Sequence, residues 1–223
     1  TEMHVTSADG SARSLPLTVR NKVLGRDGNL GGKTGSTYEA GECFVCTFSR
    51  EPEGEVYIAL FGSKGDEGRF NDTLTLANWY YGHFANLPFA TSSKQVGGVP
   101  LAAEAACVDW SDKLMDLTFA DADADARVFT LGGTIDQKVE VDELRGKHAA
   151  GTAAGSVTYT QNGETIGSVE LTTANELEPP NLLEWLAVQL DRLVRLFEGK
   201  PATAEERIYA TMPDPLSIDG WNV

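Results

Sequence analysis

Asn29-Leu30-Gly31-Gly32-Lys33-Thr34-Gly35-Ser36-Thr37 is the stretch on which the reading of this chain turns. A lysine and a threonine among glycines could cradle a phosphate at the start of a helix. That device needs a glycine six residues before the lysine, and Asp27 stands there. It also needs a helix after Thr34, where the sequence is strand-like instead. Outward from Thr37 come two apolar runs, Gly41 to Ser49 and Glu55 to Gly62, joined by Glu51-Pro52-Glu53-Gly54. A turn of that composition between two strands predicts an antiparallel hairpin. The second run is apolar nearly throughout, which predicts burial on both faces. Over 66–84 the period changes. Phe70, Leu74, Ala77 and Tyr81 share one helical face, with Leu76 and Tyr80 beside it, so an amphipathic helix should cover the sheet. Asp66 and Glu67 suit its positive N-terminal end. Before the glycines, residues 1–20 read as a strand or loop remnant.

Residues 86–100, with Pro88, Gly97, Gly98 and Pro100, read as a loop and a domain boundary. Short strands then follow at Ala102–Val108, Leu114–Phe119, Arg127–Leu131, Gln137–Val141, Ser156–Gln161 and Thr165–Thr172, and predict an all-β sandwich or barrel-like module. Asn162-Gly163 is the strongest hairpin signal. Over 181–198 Leu183, Leu186, Leu190, Leu193, Val194 and Phe197 make one apolar helix face, capped by Asn181 and ended by Gly199. The tail, 200–223, reads as irregular.

The formal charge of −15 would repel a phosphate backbone and argues against a nucleic-acid partner. No run of eighteen apolar residues is present, so no spanning helix is predicted. Cys43 and Cys46 form a C-x-x-C, but residues three apart on a strand point to opposite faces, and His4, His83 and His148 have no ligand spacing. Cys43, Cys46 and Cys107 read as small core residues, with no metal site. Asp121, Asp123 and Asp125 hint at a calcium loop. Ala126 stands where that loop needs glycine and Gly132 where it needs glutamate, so a solvated acidic strand edge is the better reading.

Asn21-Lys22-Val23-Leu24, leading into Gly31-Gly32-Lys33-Thr34-Gly35-Ser36-Thr37, resembles the D-alanyl-D-alanine carboxypeptidase pattern, in which an N-x-x-L-L-like segment precedes G-x-K-T-G-x-T. Ala40-Gly41-Glu42-Cys43-Phe44-Val45 is similar to that family's next strand. Gly68-Arg69-Phe70 and Leu76-Ala77-Asn78-Trp79-Tyr80-Tyr81 are similar to its following helix. The match covers residues 15–84. More loosely, the β-rich segment is similar to the small C-terminal β domain of these penicillin-binding proteins, and 181–198 sits where members often carry a membrane-associating helix.

The resemblance implies that K-T-G lies on a strand edging a cleft. Lys33 would supply a fixed positive charge and Thr34 a hydroxyl donor, both toward the substrate's terminal carboxylate. Gly35 would let substrate backbone approach, and the Ser36 backbone N–H would be half of an oxyanion hole. Arg69 would help hold the carboxylate through its planar donor fork; the competing reading makes it a solvated helix residue. The family acylates a serine in S-x-x-K, and no S-x-x-K occurs here; the nearest run is Thr91-Ser92-Ser93-Lys94. S-x-N is absent upstream as well. The chain is therefore expected to be a C-terminal portion that is inactive alone.

The fold expected is α+β. Residues 1–84 would be the C-terminal part of a penicillin-binding or β-lactamase-like α/β domain, 86–175 a small sandwich-like all-β domain, 176–199 an amphipathic helix and 200–223 the tail. Implied partners are peptidoglycan stem peptide and β-lactams. A membrane-surface contact through 181–198 and self-association of the truncated domain are further expectations. No cofactor is implied. The expected location is the cell envelope, at the outer face of the cytoplasmic membrane. Alternatives are a non-catalytic β-rich spacer or interaction module, an envelope scaffold with a vestigial K-T-G, and a β-lactamase relative.

Overall fold

The structure, a computed structural model, describes residues 2–221. The chain forms two compact units, Thr1–His83 and Phe84–Val223.

In the first unit β1 (Glu2–Thr6) and β2 (Ala12–Pro16) pair as an antiparallel hairpin, more regular than the remnant expected there. Next come β3 (Asn29–Thr37), β4 (Gly41–Arg50), β5 (Gly54–Ser63) and helix α1 (Gly65–Tyr81). The three strands form one antiparallel sheet in the order β3-β4-β5. Side chains alternate along β4, so Phe44, Cys46 and Phe48 lie on one face and are buried. α1 covers that face with Phe70, Ala77 and Tyr81. Phe44 meets Phe70 edge to face at 5.3 Å. Each such buried ring contributes about 1.5–3 kcal/mol. At the helix end the Tyr81 hydroxyl lies 2.8 Å from the Gly54 carbonyl oxygen and 3.1 Å from that of Phe48, fixing α1 to the sheet.

Two expectations are corrected here. β5 is buried on one face only: Ile58 faces α1, whereas Tyr57 is 75% and Phe61 70% exposed. One helix covers one face, and an apolar run does not say how many layers exist. On α1 it is Arg69 and Thr73, not Leu76, that are buried with Phe70 and Ala77. Both Arg69 terminal nitrogens find acidic or carbonyl partners, although its Nε has none, and the Thr73 hydroxyl donates to the Arg69 carbonyl at 2.6 Å, so most of this polar surface is paired inside.

The second unit is mostly antiparallel β. Its strands are β6 (Phe84–Pro88), β7 (Gln95–Val96), β8 (Val99–Ala106), β9 (Leu114–Phe119), β10 (Asp125–Phe129), β11 (Ile135–Val141), β12 (Ala153–Gln161) and β13 (Glu164–Thr173), followed by helix α2 (Leu182–Phe197) and β14 (Arg207–Ile208). The main sheet runs β11-β12-β13-β9-β8-β14, with β7 added to β8; β6 and β10 make a separate pair. Between them lie Leu87, Leu101, Leu117, Val157, Tyr159 and Leu171. Phe89 stacks on Tyr159 at 4.5 Å and accepts its hydroxyl at 2.8 Å. Gly167 leaves room for that stack, since a Cβ there would come within 2.3 Å of the Phe89 ring. Asn162 and Gly163 turn the β12–β13 hairpin with φ of +51° and +83°.

The region read as a loop, 86–100, contains the end of β6, all of β7 and the start of β8. The tail is not irregular throughout: β14 pairs with β8, and Ser92 bridges to Ala210. β6 and β14 are too short to carry a period and are ordered by partners distant in the chain, whereas β7 folds back on the start of β8 through Gly97 and Gly98.

Helix α2 starts with a capping box, in which the Asn181 side chain accepts from Leu183 and Glu184 while Glu184 returns the bond to the Asn181 N–H. Val188 is its buried residue. No helix among the described residues is long and apolar enough to cross a membrane.

Candidate functional site

β3 has β4 on one side and no strand on the other among the described residues. Lys33 stands opposite Val45, Thr34 opposite Phe44 and Gly35 opposite Cys43. Cross-strand partners share a face. Thr34 therefore belongs to the α1 side of the sheet, whereas Lys33 and Gly35 belong to the open face with Val45, Tyr57 and Phe61.

The two glycines beside the lysine differ. A Cβ on Gly32 would sit 2.5 Å from the Val45 carbonyl oxygen and 2.7 Å from the Phe44 ring. The sheet itself requires glycine there. A Cβ on Gly35 would meet nothing nearer than Cys43 Cβ at 4.0 Å. Packing within the sheet therefore does not demand glycine at 35.

The free edge of β3 lines a cleft of about 610 Å³, bounded by Lys33, Thr34, Gly35 and Ser36 of β3, Asp66 and Arg69 of α1, and Thr18, Val19, Arg20 and Lys22 of the preceding segment. Two asparagines hold that segment. Asn21 Nδ2 donates to Asn29 Oδ1 at 2.8 Å and Asn21 Oδ1 accepts from the Val23 N–H at 3.0 Å. Four basic side chains and one acid line the cleft, in a chain with 33 acidic and 18 basic residues. Its local charge is opposite to that of the whole, which suits an anionic ligand.

Arg69 is buried, so the solvated-helix reading fails. Its Nη1 donates to the Gly35 carbonyl at 2.9 Å and the Cys43 carbonyl at 3.3 Å. Its Nη2 pairs with Asp66 Oδ1 at 2.7 Å and with Glu42. Glu42 in turn accepts from the Ser36 hydroxyl at 2.9 Å. Asp66 Oδ2 lies 2.7 Å from Lys22 Nζ, which also pairs with Glu67. Hydrogen bonds donated by Lys22 to Asp66, then to Glu67, hold the pKa of its ammonium above the ordinary value. Cleft chemistry thus rests on a chain of alternating charges, Glu42–Arg69–Asp66–Lys22. The Lys33 ammonium donates to the neighbouring Thr34 carbonyl.

All five residues singled out from the sequence (Lys33, Thr34, Gly35, Ser36 and Arg69) line this cleft. Arg20, Lys22, Glu42 and Asp66 were not singled out. The i,i+3 spacing of Asp66 and Arg69 on a helix was a usable signal; Lys22 carried none. Cys43 and Cys46 lie on opposite faces of β4. Burial pushes the Cys46 thiol up to about 11 and raises that of Cys107 as well. No group of residues suited to a metal occurs among the described residues.

No protein-family model matches the chain, and no curated protein matches it. Solved structures do. Penicillin-binding protein 5 from Haemophilus influenzae matches at 19% identity over 78% of this chain and 49% of its own, with a TM-score of 0.32. The D-alanyl-D-alanine carboxypeptidase from Francisella tularensis matches at 19% identity over 76% and 41%, with a TM-score of 0.33. A peptidoglycan synthesis regulatory factor from Streptococcus pneumoniae matches at 21% identity over 77% and 49%, with a TM-score of 0.35. The chain spans half or less of the length of these structures.

Proposed function

We propose that the first unit carries the carboxylate-gripping wall of a serine-type D-alanyl-D-alanine carboxypeptidase site, which takes peptidoglycan stem peptides and β-lactams. The observation that supports this reading most is the convergence of Lys33, Thr34, Gly35 and Ser36, on an open strand edge, with a basic cleft. Lys33 supplies charge and Thr34 a hydroxyl donor to the ligand's carboxylate. Gly35 leaves the strand accessible to ligand backbone, and the Ser36 N–H is the oxyanion donor. Arg69 acts here mainly by holding the Gly35 carbonyl, because both of its terminal nitrogens are already engaged. The sequence supplies no S-x-x-K nucleophile, so recognition is what these residues perform and acylation is not.

Titration of the chain with N-acetyl-D-alanyl-D-alanine, followed by NMR, should move the backbone signals of Lys33 to Ser36. Signals that stay fixed there, or move only elsewhere, would remove the reading. A fluorescent penicillin should leave no covalent label; stoichiometric labelling would show that a nucleophile is present after all.

For the second unit we infer a non-catalytic β-rich spacer of the cell envelope that rests on the outer face of the cytoplasmic membrane through α2. What supports this is the helix's orientation. Arg192 Nη2 donates to the Trp110 carbonyl at 3.2 Å, while Leu183, Leu190 and Phe197 on the apolar face are exposed. Its two acids, Glu184 and Asp191, balance its two arginines, Arg192 and Arg195, so insertion of apolar side chains carries the contact. Co-sedimentation of the chain with phosphatidylglycerol-containing liposomes should be lost in Leu190→Ser/Phe197→Ser. Equal sedimentation of the two proteins would leave the helix as an ordinary protein-facing element.

A further inference from the structure

We propose that Asp66 is an internal competitor for the ligand's carboxylate. It fills, from within the chain, the place between Lys22 and Arg69 where an anionic group would otherwise bind, and so confines the ligand's carboxylate to the Lys33–Thr34 end of the cleft. This deepens the reading of the cleft given above and rests on it.

The geometry is that of a bound ligand. One carboxylate bridges two cations, with Oδ1 2.7 Å from Arg69 Nη2 and Oδ2 2.7 Å from Lys22 Nζ. A carboxylic acid entering the cleft would seek the same two partners, because charge-assisted bonds to an arginine fork and an ammonium are the strongest on offer. The partners of Arg69 are not equally replaceable. Gly35 and Cys43 contribute backbone carbonyls fixed by the sheet. Glu42 is three-quarters buried and tied to Ser36. Asp66 has a side chain 60% exposed, and Lys22 one 46% exposed. Exposed pairs hold each other weakly, so this carboxylate is the one that exchanges.

Helix α1 does not need Asp66 for its own start, since Glu67 supplies a second acid to the same first turn. The position of Asp66 is therefore explained by the cleft rather than by the helix. A ligand must either displace it or bind where it does not reach.

Removing the competitor should open the anion site. In the full chain, acetate titrations read on the side-chain NMR signals of Lys22 and Arg69 should show binding tightened about fivefold in Asp66→Ala, the scale of an exposed ion pair at Lys22 together with a partly exposed one at Arg69. Asp66→Asn keeps the shape of the helix start and drops the charge, and should tighten binding in the same direction. Asp72→Ala removes the same charge from α1 at a residue bonded to Ser63 and should change nothing. Lys22→Met combined with Asp66→Ala should return to the original affinity. Equal acetate affinity in the original chain and both Asp66 variants overturns the proposal, whatever a peptide does. Tighter acetate binding in those variants, with no variant answering N-acetyl-D-alanyl-D-alanine, keeps the role of Asp66 and sinks the carboxypeptidase reading instead.

Discussion

The carbonyl oxygen of Gly35 lies 2.9 Å from Nη1 of Arg69. Strand β3 and helix α1 are thereby joined at the glycine of K-T-G, and the outer strand of a small sheet, paired with β4 on one side, is held by a side chain as well. Arg69→Ala should leave the Glu42 carboxylate without its ion partner. Breaking a pair of this kind costs about 3 kcal/mol. Hydrogen exchange of the Gly35 to Thr37 amides should rise more than that of β4. Unchanged protection would return Arg69 to the role of a ligand-facing group.

The two glycines around Lys33 should respond oppositely to one methyl group. Gly32→Ala forces a Cβ against the Val45 carbonyl and the Phe44 ring and should destabilise the first unit by about 2 kcal/mol. Gly35→Ala should alter stability by less than about 1 kcal/mol but weaken N-acetyl-D-alanyl-D-alanine binding. Thermal melts and peptide titrations of the two variants separate these outcomes. Similar stability losses in both would show that neither glycine is kept for a ligand.

The open face of the β3-β4-β5 sheet carries Val45, Tyr57 and Phe61, all at least half exposed. Contiguous apolar surface of this kind drives association. Light scattering over a concentration series should show a rising mean mass, suppressed in Tyr57→Ser/Phe61→Ser. A monomer at every concentration would mean that this face is inert.

In the second unit Glu104 is buried between Lys94 and Arg207, at 2.8 Å and 3.1 Å, with the Tyr209 hydroxyl at 3.2 Å. Burial pushes its carboxyl up, but the hydrogen bonds from Lys94 and Tyr209 and the charges of Lys94 and Arg207 outweigh it, leaving it below the ordinary 4.5. A depressed carboxyl contributes stability that is present above the unfolded value and lost as pH falls through the folded one. Glu104→Gln should therefore cost about 1–3 kcal/mol at pH 7 and flatten the loss of stability below pH 4.5. Urea midpoints across that range decide it; parallel curves for the two proteins would exclude Glu104 as the acid-sensitive group.

What could be read from the residues follows the reach of each signal. Leu114–Phe119 was placed with its observed bounds because an alternating pattern lies between turn residues on both sides. Asn162-Gly163 announces its own backbone geometry. By contrast, Phe84–Pro88 contains a proline and pairs with Asp125–Phe129, and Arg207–Ile208 is two residues laid on Ala103 and Glu104. Neither has a local reason to be extended. The site divides the same way. Lys33 to Ser36 is contiguous and legible, whereas the bridge from Lys22 to Asp66 joins groups remote in the sequence, and only the folded chain brings them to 2.7 Å. The one-sided burial of β5 could not be read because composition records what a strand can cover, not whether a cover is there.

The seam between Ser92 and Ala210, with the Thr211 N–H donating to the Thr91 carbonyl at 3.0 Å, ties the opening of the second unit to its final stretch. On the ribosome such a seam is the last to shut, since its two lips emerge more than a hundred residues apart and the earlier one waits unpaired. Until then the edge of β8 that Arg207–Ile208 will pair with stays open, and the unit cannot finish folding before almost all of it has been made.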